Sequence, residues 1–402
     1  EKMSTHVEKT GNSLIQINPS KAPIPFIIIG LILLAIGGYA TLQVLFKGHE
    51  AVYGVTREVP WGLLISTYAY FVITSTGLAF IGGLGHAFGF EKYSKVSKRI
   101  VVMAFVILLA GFTQIGMEIG HPIRLMIYMI LSPNLSAPIV WMGVFYGIEL
   151  VILAIELYLV FKPNQTAKDH ETAKVVGFFA LLVGVLATSN LGYVFGSLNA
   201  RPFYHGVYFS TFLVISGITA GAALLMVIHN IIYGWNVPEK LNGTMNALGK
   251  IMGMGIALMA FLYLWKILSS IYTQPGDAYL SAMALIKGPL SKNFWVGELG
   301  LAVIVPFLII VFTKAKNTKA LGVAGIVYMI GLFFTRYDFV VAGQLPPMRK
   351  ALEGSGVEAV NGLVQYSPSA GEWMIFALGW GLFLFLYFMA EKFLNLDTED
   401  HH

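Results

Sequence analysis

Pro138-Ile-Val-Trp141-Met-Gly143-Val-Phe145-Tyr146-Gly-Ile-Glu149-Leu-Val-Ile-Leu-Ala-Ile-Glu156-Leu-Tyr-Leu-Val-Phe161 decides the fold. A helix needs about 20 apolar residues to cross the hydrocarbon core of a bilayer. This stretch supplies them between Pro138 and Lys162-Pro163, the usual start and stop signals of a helix. Glu149 and Glu156 alone interrupt it, and their spacing puts them on one helical face. Counted inward from Pro138, Glu149 falls near mid-membrane and Glu156 lower. An unpaired ionised carboxylate is unfavourable there, so each is expected to be protonated or partnered.

The rest of the 402-residue chain reads the same way. Hydrophobic residues make up 56% and charged ones 12%, with a mean hydropathy of +0.73, against roughly 25% charged in ordinary soluble domains. The composition predicts an all-α, polytopic integral membrane protein. Ten spans are expected, at 24–46, 60–88, 99–121, 138–161, 172–197, 206–233, 247–272, 292–313, 317–342 and 371–393. Residues 1–23 read as a polar tail rather than a cleaved signal peptide, and 394–402 as a second tail. Loop Lys and Arg concentrate on the face that carries both termini, among them Lys92, Lys95, Lys98, Arg99, Lys162, Lys168, Lys240, Lys314, Lys316 and Lys319. The positive-inside rule then places both termini in the cytoplasm. The net charge of +5 lies in these short loops, so lipid is the expected surroundings and nucleic acid is not a partner. Cysteine is absent, which rules out a Cys-ligated iron–sulfur cluster and a c-type haem attachment in this chain. A haem b held by His86 and His229 is disfavoured, because both sit near one surface rather than on facing helices. Electrons, if handled, need an organic carrier or a partner chain.

An internal repeat is expected. Gly62, Ser66, Thr67 and Gly77 recur at a constant offset as Gly206, Ser210, Thr211 and Gly221, and Trp141-Met-Gly143 matches Trp295-Val-Gly297. The offset is four spans, so the copies keep the same orientation, a parallel repeat about an axis along the membrane normal. The predicted organisation is a first four-helix bundle over 60–197 and a second over 206–342, with 24–46 and 371–393 as flanking helices.

The chemistry concentrates at helix ends and inside spans. Glu118-Ile-Gly-His121-Pro122-Ile-Arg124 closes the third span at the outer face, and ionisable groups at membrane depth mark function by default. A carboxylate and an imidazole there suit a quinone, which exchanges protons with electrons and needs hydrogen bonds to its carbonyls. The bland alternative is a helix C-terminus whose His and Arg satisfy the last carbonyls. Glu149, Glu156 and His86 could carry protons towards that pocket, or be buried structural groups. Trp61, Tyr68 and Tyr70 could be ring contacts, or simply pack. Lys266, Glu298, Arg336 and Asp338 balance in sign and are expected to form structural ion pairs. Glu372-Trp373 reads as an interfacial anchor for the last span. No metal ligand set is evident.

Together these motifs resemble the NrfD/polysulfide-reductase family of quinone-reactive membrane subunits. The resemblance is carried by Pro60-Trp61-Gly62, by the Glu118–Arg124 motif, which is similar to an acidic-x-Gly-Arg-Pro-x-Arg signature, by Asn134-Leu-Ser136-Ala-Pro138-Ile-Val-Trp141-Met-Gly143, and by Tyr366-Ser-Pro368-Ser-Ala-Gly-Glu372-Trp373. The ten-span length is similar to the longer branch of the family. The resemblance implies a haem-free anchor that oxidises or reduces menaquinone or another quinone near the outer face. Electrons would cross to an extracytoplasmic, ferredoxin-like iron–sulfur subunit and on to a molybdenum, hydrogenase or multihaem cytochrome subunit. On this reading Glu118 and His121 are catalytic, Trp61, Tyr68, Arg124 and Trp141 bind quinone, and Arg349 and Lys350 belong to the docking surface. The rival reading is a secondary transporter with an ionisable intramembrane site, for which repeats and midplane carboxylates are equally expected.

Overall fold

A computed structural model describes residues 24–163, 165–274, 276–348, 359–360 and 362–397. In chain order the helices are α1 (Ile24–Lys47), α2 (His49–Val52), α3 (Leu63–His86), α4 (Glu91–Ser94), α5 (Ser97–Glu118), α6 (Pro122–Leu131), α7 (Pro138–Phe161), α8 (Ala167–Gly196), α9 (Tyr208–Ile232), α10 (Asn242–Tyr272) and α11 (Asp277–Ile286). A π-helical stretch, Asn293–Ile304, runs straight into α12 (Val305–Phe312) and is followed by α13 (Thr318–Val341) and α14 (Ala370–Phe393). Among the described residues ten helical segments are long and apolar enough to cross a membrane, and the protein is a multi-pass integral membrane protein. Each matches one of the ten expected spans. The one ladder among the described residues pairs Ala359–Val360 antiparallel with Leu363–Val364, and Gly362 takes the left-handed conformation (φ 77°) that its tight turn needs.

Local chemistry explains the boundaries. Pro122 and Pro138 open α6 and α7 at a first-turn position, where a missing N–H removes no bond. Thr166 with Asp169, and Ser369 with Glu372, close reciprocal capping boxes on α8 and α14. In the eighth span the π-helix gives way to α-helix at Val305-Pro306. Pro306 has no N–H to give to the carbonyl four residues back and its ring crowds that turn, so the hydrogen-bond ladder is displaced there.

α3 is the hub of the molecule. Its apolar window is 89% buried, whereas that of α1 is 17% buried, because α3 packs on α5, α8, α9 and α13 while α1 packs on α14 and α2. α3, α5, α7 and α8 pack as one group and α9, α10, π/α12 and α13 as another, and α14 leans on α5 and α3. The groups meet where α3 crosses α9. A Cβ on Gly77 would fall 1.8 Å from the Gly217 carbonyl oxygen, and one on Gly221 2.4 Å from the Gly77 carbonyl carbon. Small residues of this kind let membrane helices approach backbone to backbone.

Three expectations change. The segment between the expected spans 247–272 and 292–313 contains α11, and the segment between 99–121 and 138–161 contains α6. The C-terminal tail does not start free: Leu396 is buried and Asp397 is ion-paired to Arg99. Residues 1–23, Arg349 and Lys350 lie outside the described residues.

Candidate functional site

At the Glu118 end, α5 stops because Ile119 turns extended and Pro122 starts a new helix, the backbone before a proline being biased away from α. The Tyr53 hydroxyl donates to the Met117 carbonyl at 2.9 Å, satisfying one of the carbonyls a helix C-terminus leaves free. Glu118 is half-buried, and its Oε2 is enclosed with no hydrogen-bond partner. Tyr53 and Glu372 are among its electrostatic neighbours. Glu372 is fully buried and fully used: Oε1 accepts from Tyr366 at 2.6 Å, and Oε2 from the Gly54 and Ser369 amides at 2.8 Å each. The Leu63 amide in turn donates to the Tyr366 oxygen at 2.7 Å. Glu372 is therefore a knot joining the starts of α3 and α14 to the Tyr53–Gly54 turn, not an interfacial anchor. Burial, reinforced by the neighbouring carboxylates, pushes the Tyr53 and Tyr366 hydroxyls well above the phenol range, so both stay neutral donors. Burial first, and then the nearby His121, lowers the His49 imidazole.

His121 and Arg124 are exposed, as is almost all of α6. Trp61 is fixed through its backbone, its N–H reaching Gln344 Oε1 at 3.1 Å and its carbonyl accepting from Gln344 Nε2 at 2.8 Å, and its ring meets Phe195 edge-on. Tyr68 is buried with its ring edge-on to Tyr146. Trp141 is exposed and its indole N–H holds the Leu135 carbonyl at 2.9 Å. Among the described residues no hydrogen bond or ring contact joins Trp61, Tyr68 or Trp141 directly to Glu118. Gln114, one turn below Glu118, was missed: it is fully buried, accepts from Thr67 at 2.9 Å and donates to the Ile375 carbonyl at 2.9 Å.

The carboxylates of α7 are partnered. His86 Nδ1 lies 2.8 Å from Glu156 Oε1. Two helical turns away, Glu149 Oε1 accepts from Thr76 at 3.3 Å; Thr188 donates to Thr76 at 2.9 Å, and the Tyr146 hydroxyl lies 3.3 Å from Thr188. The chain Glu149–Thr76–Thr188–Tyr146 thus climbs to Tyr68. Glu149 Oε2 is buried without a partner. Each carboxylate faces a glycine of α8, with ideal Cβ positions 3.5 Å from Glu156 Oε1 at Gly177 and 3.1 Å from Glu149 Oε1 at Gly184.

In the second helical group the expected ion pairs do not form. Lys266 donates to the Phe203 carbonyl and lies over the rings of Phe203, Tyr208 and Phe209. Arg336, fully buried, reaches Ser216 Oγ at 2.8 Å and leaves Nε and Nη1 unpartnered. Glu298 and Asp338 are in hydrogen-bonding contact with each other, and Asp338 also accepts from Asn293 at 3.3 Å. Equal numbers of signs were legible, but not that helix packing would put acid beside acid. The buried ion cluster lies elsewhere. Arg99 makes two bonds to Glu391 (2.7 and 3.3 Å) and one ion pair to Asp397 (2.8 Å), and donates to Tyr233 at 3.2 Å. Read as a loop cation, Arg99 carried no signal beyond its sign.

A family-wide sequence profile described as "Polysulphide reductase, NrfD" matches residues 51–347. The chain belongs to the NrfD polysulphide reductase family. Among curated relatives, this NrfD chain is 22% identical to a subunit of the selenate reductase of Mesobacillus selenatarsenatis, covering 85% of this chain and 87% of that one. It is 24% identical to the Hdr-like menaquinol oxidoreductase integral membrane subunit of Archaeoglobus fulgidus, covering 80% and 81%. The NrfD profile spans the Glu118 end, the α7 carboxylates and the Arg336 region alike.

Proposed function

We propose that this chain is the quinone-reactive membrane subunit of a respiratory oxidoreductase complex, working at the Glu118 end. The observation that carries the reading is the enclosed, unpartnered Glu118 Oε2 beside α6, a helix exposed on nearly every side. A hydroxyl arriving from the bilayer would satisfy that oxygen. Membership of a family that includes a menaquinol oxidoreductase subunit supports menaquinone or a similar quinone as the source. Oxidation of a quinol to quinone releases two protons and two electrons. Glu118 takes one proton and water at the outer surface takes the other, with exposed His121 and Arg124 at the mouth for the carbonyls, and Trp61, Tyr68 and Trp141 on the surrounding helices for the ring. The electrons leave to a ferredoxin-like iron–sulfur subunit on the outer side and then to a molybdenum, hydrogenase or multihaem cytochrome subunit. In the opposite direction, reduction of quinone by two electrons consumes two protons, and His86, Glu156 and Glu149 supply them from the inner face, with the Thr76–Thr188–Tyr146 chain completing the upper part. The chain sits in a bacterial inner membrane with both termini in the cytoplasm.

We also infer that the two helical groups are parallel repeats. α3 on α8 corresponds to α9 on α13, α3 on α5 to α9 on α10, and the equivalent glycines Gly77 and Gly221 meet at the crossing. Trp141 and Trp295, equivalent in sequence, make equivalent indole bonds to the Leu135 and Ile286 carbonyls at 2.9 and 3.0 Å. Secondary transport remains the rival, and the eighth span continues through Pro306 without an unwound stretch, unlike the broken helices of many transporters.

The test is quinone analysis of the protein purified with its copurifying chains, wild type against Glu118→Gln. Bound quinone near one per chain, with quinol-linked electron transfer lost in the variant, is the expected result. Absence of both quinone and an iron–sulfur partner would sink the reading and favour transport.

A further inference from the structure

The second helical group contains a cluster that the Glu118 site does not use. Glu298 and Asp338 are each 2% exposed and Arg336 is 0% exposed. The two carboxyl groups touch as hydrogen-bond partners. Two ionised carboxylates are acceptors only, so the contact requires at least one proton on the pair. With one proton the pair carries a single negative charge, which neutralises the adjacent Arg336; no carboxylate pairs with Arg336 within salt-bridge distance among the described residues.

Three further observations make this more than a buried acidic cluster. Arg336 Nε and Nη1 are enclosed and unpartnered, which is polar capacity left for water. Glu298 is carried by the π-helical turns before Pro306, and such segments are frequent at functional sites. A cavity of about 130 Å³ opens at the Glu118 end between Pro289, Leu290, Asn293, Tyr337, Tyr366 and Ser367, and Asn293 on its wall holds Asp338. The other titratable groups facing the pair are Tyr208 from α9, with its hydroxyl also unpartnered, and Tyr337 from α13; Lys266 of α10 is engaged by the Phe203 carbonyl.

We propose that Glu298 and Asp338 form a second proton-holding site, separate from Glu118, which keeps one proton on the pair beside Arg336 and exchanges it with water entering through the Asn293 cavity. The exchange is an acid–base equilibrium: a proton lost to water leaves two carboxylates, and a proton gained leaves two carboxylic acids, with no electron moved. The site does not depend on the quinone reading.

The experiment is infrared difference spectroscopy of the purified complex in H2O and D2O, following the C=O stretch of protonated carboxyl groups. Asp338→Asn and Glu298→Gln should each remove the same protonated-carboxyl band, because the remaining acid then ionises against Arg336. Arg336→Gln should add a second such band. Ser367→Trp, at the exposed mouth of the cavity, should leave the band in place and slow its shift in D2O several-fold. A band that survives both acid-side variants, or a D2O shift indifferent to Ser367→Trp, would overturn the proposal. Quinone content measured on the same samples reports on Glu118 independently.

Discussion

Single residues in this protein are decided by what encloses them. His49 is lowered chiefly by burial and secondly by His121, so the two causes separate by mutation. His121→Ala should raise the His49 imidazole part of the way towards its ordinary value, and no further, because burial remains. Titration of the selectively labelled ring by NMR checks this; an unchanged His49 would mean that the charge on His121 is not felt. In stability terms the sign is fixed by the direction. A depressed folded value means the unfolded chain binds more protons, so stability is highest above the ordinary imidazole value and is lost as pH falls from there through the lowered folded value. At this scale the sequence was only partly legible. Glu118 and Glu149 stood out as ions in apolar runs and are partly or fully enclosed, each with an orphaned oxygen. Gln114, Gln344 and Tyr53 did not stand out, because nothing in a one-dimensional pattern says which polar side chain will find itself against a backbone carbonyl of a helix hundreds of residues away.

Elements were the most legible level, because hydrocarbon leaves the backbone no alternative to helix. All ten spans are present, and Pro138 starts a helix where expected. What escaped was the character of the pieces between and within them. α6 and α11 are too short to register as spans, and the π-helical start of the eighth span depends on how Pro306 displaces a ladder. The crossing of α3 and α9 gives the sharpest test. Gly77→Ala would drive a methyl group into the Gly217 carbonyl. The cost is expected at the upper end of the ~1–3 kcal/mol typical of overpacking, or above it, read as a lower melting temperature in detergent. Gly38→Ala is the control: nothing lies within 4 Å of its Cβ position, and replacing a mid-helix glycine there should be neutral or stabilising by roughly 0.5–1 kcal/mol. Equal effects at the two sites would mean that the helices do not cross as described.

Across the whole molecule, the pieces are locked at opposite ends by different chemistry. At the His86 end the lock is ionic. Arg99 and Glu391 have side chains only 2% and 3% exposed, so Arg99→Ala strands a buried carboxylate and is expected to destabilise by about 3–5 kcal/mol. The double variant Arg99→Leu with Glu391→Leu removes both charges and should recover most of that loss in a thermal melt. A double variant as unstable as the single would show that the pair matters for its shape rather than its charge. At the Glu118 end the lock is made of backbone carbonyls. Arg201 donates to the Gln344 and Pro346 carbonyls at 3.0 and 2.5 Å and to the Glu58 carbonyl at 3.0 Å, and burial pulls its guanidinium somewhat below its usual range.

In mechanical language, Arg201 turns that rim into a plate. The segments it grips lead into α3 and out of α13, the two helices that carry Thr76 and Arg336. A load applied anywhere on the rim, by a docking protein for instance, is not absorbed in slack loops. It arrives at both halves of the molecule together, as a torque on α3 and α13, and the glycine crossing of α3 with α9 leaves α3 no room to slide.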